Sequence, residues 1–286
     1  MDITKEKNIT CLGSIDNKDI FNYYCAYNFD NWKPPIERVS WVESQITGKN
    51  ISLIDIGCGA YPVSSNIQAT YKVGVDISLP AARKVQELFN EIYLFDLITL
   101  TKDQIPNLIN KFDYVIMSET LEHFENIFDI MVKLQWFLKP DGKIILTYPN
   151  HYSISMLLDY ITHGFNYLRY KDFMEGHLTF YSKKQLDLVF DIAGYGIRSF
   201  DARPCDIIPN RFPNETNQFW KFIAKIFPHR FAHQFLYVLV KDIEPKYLPN
   251  RFKVTRDKGV RVVKGVSQIT DYTPELAKIS SSTKEV

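Results

Sequence analysis

Apolar residues recur along this chain with two different periods, and the switches between them mark out its elements. From Ile51 onward, ISLIDI, YKVGVDI, IYLFDL, FDYVIM and KIILTYP are near-continuous apolar runs, separated by stretches long enough for crossover helices. Such runs suit parallel strands covered on both faces, so the spacing predicts an open parallel sheet flanked by helices. Upstream, Pro35 followed by Ile36, Val39, Val42 and Ile46 predicts a helix to about Thr47, closed by Gly48. Downstream, Ser182 reads as an N-cap for a helix that ends at Gly194. A strand near Ile197 to Ala202 and a last buried strand in FLYVLVK complete the pattern.

Departures from this rhythm divide the chain. Residues 1–48 are expected to form an N-terminal cap, with Tyr23, Tyr24, Tyr27, Phe29 and Trp32 offering large areas to bury, the alternative being a lid over the pocket. The main domain is expected over 49–249. Within it, the stretch 150–180 carries many aromatics and two histidines where a short connection would suffice, so it reads as a functional insertion shaping an acceptor site. Phe219 to Phe227 is expected as a core-packing helix, the alternative being an amphipathic surface for a lipid-linked substrate or a membrane face. Residues 250–286 form a polar and basic tail, in which Arg251 to Lys264 is expected to be solvated and the last twenty or so residues poorly ordered.

Composition narrows the partners. A net charge of +1 and 45% hydrophobic content describe a globular chain with a sizeable core and argue against nucleic acid as the default ligand. The start, MDITKEKNIT, lacks the pattern of a secretory signal, and no run of about 18 apolar residues follows, so a soluble cytoplasmic protein without a transmembrane segment is expected. Cys11, Cys25, Cys58 and Cys205 are scattered without a CxxC pair, which suggests neither a disulfide framework nor structural zinc.

The chemistry concentrates at strand ends. In LIDIGCGAYP an apolar run stops at Asp55, Gly57 and Gly59, where glycines let backbone approach a ligand, and Asp76 ends the next strand where a ribose diol would bind. Asp96 and Ser118-Glu119 end the two strands after that. Pro62 stands where a dinucleotide fingerprint wants a third small residue, which disfavours nicotinamide chemistry. The pair Tyr167 and Lys171 has dehydrogenase spacing but is expected by chance in a chain with 17 tyrosines.

Together these segments resemble the class I S-adenosylmethionine-dependent methyltransferases over roughly Ile51 to Lys241. LIDIGCG is similar to the first family motif, VGVDIS to the ribose-binding acid and YLFDL to the adenine-side motif, while FDYVIMSETLEHFEN and FLKPDGKIILTYPN resemble the fourth and fifth strands. The resemblance implies an α/β, Rossmann-like doubly wound fold: a mostly parallel seven-stranded sheet with an antiparallel last strand, an N-terminal helical cap and an insertion after the fifth strand. It implies S-adenosylmethionine held by Asp55, Gly57, Gly59, Asp76, Ile77, Asp96, Leu97 and Ser118. YPN, the aromatic insertion and GHLTFYS look like the subgroup that tailors glycans and small molecules. O-methylation of such an acceptor is the expected reaction, with His123, His177 and His151 as candidate bases and His151 at the pocket rim.

If SETLEHF begins a helix, Glu119, Glu122 and His123 project from one face. The ExxEH string also resembles ubiquinone-pathway O-methyltransferases and small-RNA 2′-O-methyltransferases, where it serves as a divalent-metal site. By that likeness Glu119, Glu122, His123 and His177 form a candidate metal set, with metal independence the leading expectation. The alternatives kept open are an RNA 2′-O-methyltransferase and a non-catalytic scaffold that retains the cofactor fold.

Overall fold

A computed structural model describes residues 8–12, 33–163, 177–204, 218–242, 252–257 and 260–265. The chain divides into two compact units, Met1–Lys246 and Tyr247–Val286. The aromatic cluster between Tyr23 and Trp32, the Tyr167 and Lys171 pair, Cys25 and Cys205 lie outside the described residues.

The first unit is built on an eight-stranded sheet. Its strands are β1 (Ile9–Cys11), β2 (Ser52–Ile56), β3 (Tyr71–Asp76), β4 (Glu91–Leu94), β5 (Phe112–Ser118), β6 (Leu138–Pro149), β7 (Tyr195–Pro204) and β8 (Ala232–Lys241). They lie in the order β1-β4-β3-β2-β5-β6-β8-β7, with β8 antiparallel to both neighbours and the other pairs parallel. The five apolar runs fall on β2 to β6, and β2 is buried along its whole length, as a strand covered on both faces must be. From β2 the chain moves outward through β3 and β4, then returns to the other side of β2 as β5. That reversal opens a crevice at the carboxyl ends of β2 and β5, where ligands bind in such sheets.

Two features of the N-terminal region differ from the sequence expectation. Ile9–Cys11 is a strand added parallel to the outer edge of β4, an eighth where seven are expected. Asn8 anchors it with a backbone φ of +67° and a side chain that donates to the carbonyls of Gln86 and Phe89. Helix α1 (Ile36–Gln45) stops short of Thr47, and Ile36 is 73% exposed while Arg38 and Val42 face inward. Of the predicted stripe, Val42 is buried and Val39 and Ile46 pack against the same cluster, while the long Arg38 stem takes a further inward place.

The remaining helices are α2 (Leu79–Val85), α3 (Ile127–Leu134), α4 (Ile154–His163), α5 (Lys183–Ile192), α6 (Gln218–Ile226) and α7 (Pro228–Phe231). Helix α5 begins at a capping box in which Ser182 and Gln185 satisfy each other's amides, and it closes at Gly194 with φ +87°. Helix α6 corrects the core-packing expectation: Ala224 is its buried residue, while Phe219, Phe222 and Ile226 are 50 to 60% exposed.

In the second unit, β9 (Phe252–Asp257) and β10 (Val260–Gly265) pair antiparallel as a hairpin where a solvated tail is expected. Alternating Phe252 and Val254, then Val260 and Val262, supply the two-residue period a strand needs.

Candidate active site

The turn after β2 is laced to the end of β3. Gly57 and Cys58 both donate their N–H to the Val75 carbonyl, at 2.8 and 3.0 Å, and Gly59 N–H donates to Asp76 Oδ2 at 2.8 Å. Asp76 Oδ1 accepts from Ser78 N at 2.8 Å, and Ser78 in turn caps α2 through Ala81 N. Burial pushes the Asp76 carboxyl up, and the amides of Ser78, Gly59 and Ile77 oppose that rise by favouring the charged form.

The two glycines have different jobs. Both have positive φ, +71° and +58°, which only glycine adopts at no steric cost. A Cβ on Gly57 would lie 2.4 Å from the Thr120 side chain, so this position lets the loop after β5 close against the turn. A Cβ on Gly59 would meet nothing within 4 Å. That open space beside a fixed carboxylate suits a ligand with a ribose diol, and S-adenosylmethionine fits it. Ile77 and Asp96 are half-buried on the same sheet end, and Asp96 Oδ1 is held by Ile98 N at 2.8 Å. Leu97 is buried behind them at 3% exposure.

Asp55, expected among the cofactor contacts, is buried beneath the turn. It is 1% exposed and accepts from Ser64 Oγ at 2.6 Å, while Lys72 Nζ donates to the Ser64 carbonyl. Burial raises its pKa from 3.8 to about 6, against the Ser64 hydroxyl and the Lys72 charge. The folded state therefore keeps this proton after the unfolded chain has lost it, and stability falls as pH rises between those values. Relative to Asp55→Asn, the wild type should lose on the order of 2 kcal/mol between pH 4 and 6. Urea unfolding of both proteins across that range measures it, and parallel pH profiles would refute it.

Across the crevice, Thr147 on β6 organises the end of β5. Its Oγ1 lies 2.9 Å from Ser118 Oγ, accepts from Glu119 N at 3.1 Å and donates to Glu119 Oε1 at 3.2 Å. Glu119 has φ +50°, a conformation uncommon for a side-chain-bearing residue and enriched at functional sites. This corrects the expected helical face. Glu119 stands outside the short 3-10 turn Leu121–His123, so it is not stacked over Glu122 and His123.

Of the candidate metal set, the structure gathers Glu122, His123 and His177. Glu122, His123 and His177 each offer a ligating atom, all within 4.8 Å of one another. The backbone holds them there: Glu122 O accepts from Leu178 N at 2.8 Å and Thr179 N at 3.1 Å, which straps the segment after His177 onto the turn. The Tyr148 hydroxyl donates to Thr179 O at 2.8 Å and accepts from Tyr181 N at 3.1 Å, which fixes the same strap from the other side.

Glu122 is fully buried, and neither carboxylate oxygen has a hydrogen-bond partner among the described residues. His177 Nε2 is 3.7 Å from Oε1. Burial pushes the Glu122 carboxyl well up and the Glu119 charge adds to that, with the Arg38 charge opposing. The His177 imidazole is pulled down to about 4, by burial first and by His123 second, so it is neutral at physiological pH. His151 Nε2 lies 3.3 Å from His177 Nδ1. At 6% exposure His151 is buried against His177, which corrects its expected place at the rim.

Thr120, Thr147, Ser64 and Arg38 are the working residues that sequence reasoning missed. Thr147 left one signal, a polar residue inside the apolar run KIILTYP.

The chain matches the methyltransferase-domain family over residues 24–199. Among curated proteins no sequence matches it. Among solved structures it is similar to an S-adenosylmethionine-dependent methyltransferase from Thermotoga maritima, at 14% identity and TM-score 0.55, covering 78% of this chain and 99% of that one. It is also similar to the methyltransferase partner of the Trm112 activator from Haloferax volcanii, at 16% identity and TM-score 0.54, covering 78% and 97%. A third likeness is to phosphoethanolamine N-methyltransferase 2 from Haemonchus contortus, solved with S-adenosylmethionine, at 16% identity and TM-score 0.51, covering 80% and 61%. Identities this low speak to the fold, whereas the family match spans more than half the chain. The chain therefore belongs to the methyltransferase-domain family and is an S-adenosylmethionine-dependent methyltransferase of the class I fold.

Proposed function

We propose that this enzyme methylates a hydroxyl of a small-molecule or sugar-type acceptor in the cytoplasm, and that Glu122, His123 and His177 hold a divalent cation beside the acceptor. In this reading Gly59, Asp76, Ile77, Asp96 and Ser118 line the cofactor, with Asp55 and Leu97 supporting them from behind. The observation that carries the proposal is the buried Glu122 carboxylate converging with two imidazoles. A buried carboxylate without donors is costly, and an oxygen and nitrogen donor set of this kind suits magnesium, manganese or zinc.

When bound, S-adenosylmethionine supplies an electrophilic methyl on a sulfonium, so little covalent chemistry remains for side chains. The residues of this chain act by holding and orienting. The amides of the glycine turn and Asp76 fix one end of the crevice, and the Thr147 network fixes the other, so that a nucleophile can be aligned with the methyl carbon. Such positioning contributes up to roughly 7 to 11 kcal/mol in favourable cases. The strap from His177 to Tyr181 and the half-buried imidazoles keep water from the acceptor side. A hydroxyl grows acidic as its new bond forms, and a divalent cation would lower its pKa from the start. His177 as sole general base is the weaker reading, because an imidazole held at about 4 is a poor proton acceptor at neutral pH.

The test is a screen of hydroxyl-bearing and amine-bearing acceptors with methyl-labelled cofactor, including RNA. Label transferred to oxygen of a small molecule or glycan is the expected result. Label confined to amines, or to RNA 2′-hydroxyls, would overturn the acceptor assignment.

A further inference from the structure

Helix α6 presents its apolar side outward. Phe219, Phe222 and Ile226 recur at helical spacing and are 60, 60 and 50% exposed, and Phe227 just beyond is 55% exposed. On the inner side Ala224 is buried, and Trp220 packs toward Phe231 with ring centroids 6.3 Å apart. Lys221 and Lys225 are exposed, one turn apart, and no acidic residue occurs from Phe219 to Lys241. The nearby acids Glu37 and Asp201 line a cleft with Lys221, about 100° round the helix from Phe222.

This element is fastened to the acceptor end of the sheet. Asn150, just after β6, donates from Nδ2 to the carbonyls of Pro228 at 3.0 Å, His229 at 3.3 Å and Ala232 at 2.8 Å. Arg230 Nη1 donates to the Tyr152 carbonyl at 3.1 Å. Asn150 and Tyr152 flank His151, which backs His177. Tyr152 and, on α4, Leu158 and Ile161 add further exposed apolar surface near the same strand end.

We propose that α6 and α7 are a docking surface for an anionic lipid membrane, with Phe219, Phe222, Ile226 and Phe227 inserting among acyl chains and Lys221 and Lys225 pairing with headgroup phosphates. An outward apolar helix face with lysines beside it and no acid in the helix is the pattern that lies in a membrane interface. Taking about 200 Å² per large side chain, the four expose roughly 450 Å², below the 800 Å² per partner of a standard protein interface. Charge complementarity therefore favours a lipid surface over a second protein. No helix among the described residues is long and apolar enough to cross a membrane, so the contact is peripheral. The proposal is independent of the acceptor and of the cation.

Sedimentation of the full chain with vesicles of phosphatidylcholine alone, or of phosphatidylcholine with about 30% phosphatidylglycerol, tests it. The expected result is binding to the anionic vesicles, weakened about tenfold or more by the paired Phe222→Ser and Ile226→Ser changes and similarly by Lys221→Glu with Lys225→Glu. All four side chains are exposed, so an unchanged melting temperature for each variant is expected and serves as the folding control. Three outcomes would overturn the proposal: no vesicle binding by the wild type, equal binding by wild type and both variants, or a concentration-dependent dimer that Phe222→Ser abolishes while vesicles leave the protein in solution.

Discussion

Gly57→Ala should cost about 3 to 5 kcal/mol of folding stability, a large share of the total for a domain of this kind. Part of the loss is the left-handed backbone, about 1 to 2 kcal/mol for a residue with a Cβ at φ +71°. The rest is steric, because the added methyl would meet Thr120 Cγ2 and Oγ1 at 2.4 Å each and Thr120 Cβ at 3.0 Å. Rotating the threonine offers no escape, since both branches are in the way and Oγ1 is held by the Ser118 carbonyl at 3.1 Å. The companion change Thr120→Ala should restore part of the loss, giving a coupling that two independent sites would not show. Gly59→Ala is the contrast. It carries the backbone strain alone, about 1 to 2 kcal/mol, since its Cβ meets nothing within 4 Å, yet it should weaken cofactor binding severely by filling the open face. Urea unfolding and calorimetry with S-adenosylmethionine and S-adenosylhomocysteine separate the two effects. Wild-type cofactor affinity in Gly59→Ala would show that the open face belongs to something else.

What the sequence made legible was the part of the molecule set by local geometry. A strand that must stop, turn with positive φ and return shows as LIDIGCG, and the acid one strand away shows as VGVD, because backbone hydrogen bonds tie Gly57 and Gly59 to Val75 and Asp76. The same holds for Ser182 and Gln185, whose cap depends on residues three apart. Longer-range pairings were less visible. His177 meets Glu122 only because Leu178 and Thr179 bond to the Glu122 carbonyl across more than fifty residues of chain, and from sequence it was reached by likeness rather than by spacing.

Periodicity was also blind to direction. It reported the apolar stripe of α6 correctly but could not say that the stripe faces out, since an inward and an outward stripe have the same spacing. For Glu119, the ExxEH spacing suggested a helical face that a positive φ interrupts. A short strand such as Ile9–Cys11 has too few residues for any period to register, and its placement is set by partners on β4. Thr147 illustrates the remaining gap: one hydroxyl within an apolar run serves Ser118 and Glu119 together, a role that only the register Ser118↔Thr147 reveals.

The second large effect is expected at Glu122. If the cluster holds a divalent cation, manganese added to the metal-free protein should raise its melting temperature, with about 2.7 kcal/mol of stabilisation at a hundredfold excess over the dissociation constant. Glu122→Gln should abolish that response, because the amide keeps the volume but removes the charge that the cation requires. The same change relieves a buried carboxylate that no described donor bonds, so the metal-free variant should be no less stable than the metal-free wild type. Methyl transfer should fall by about 10²-fold or more in Glu122→Gln and in EDTA-treated wild type, with cofactor affinity unchanged, if the cluster serves the acceptor as proposed. His177→Ala should lose the manganese response as well, whereas a residue that merely packs the strap would lose stability and keep the response. An equal thermal shift in wild type and Glu122→Gln would refute the site at the binding level. Full activity in EDTA would refute its part in the reaction and leave the buried carboxylate to the Arg38 charge, in which case Arg38→Met should destabilise the protein far more than Glu122→Gln does.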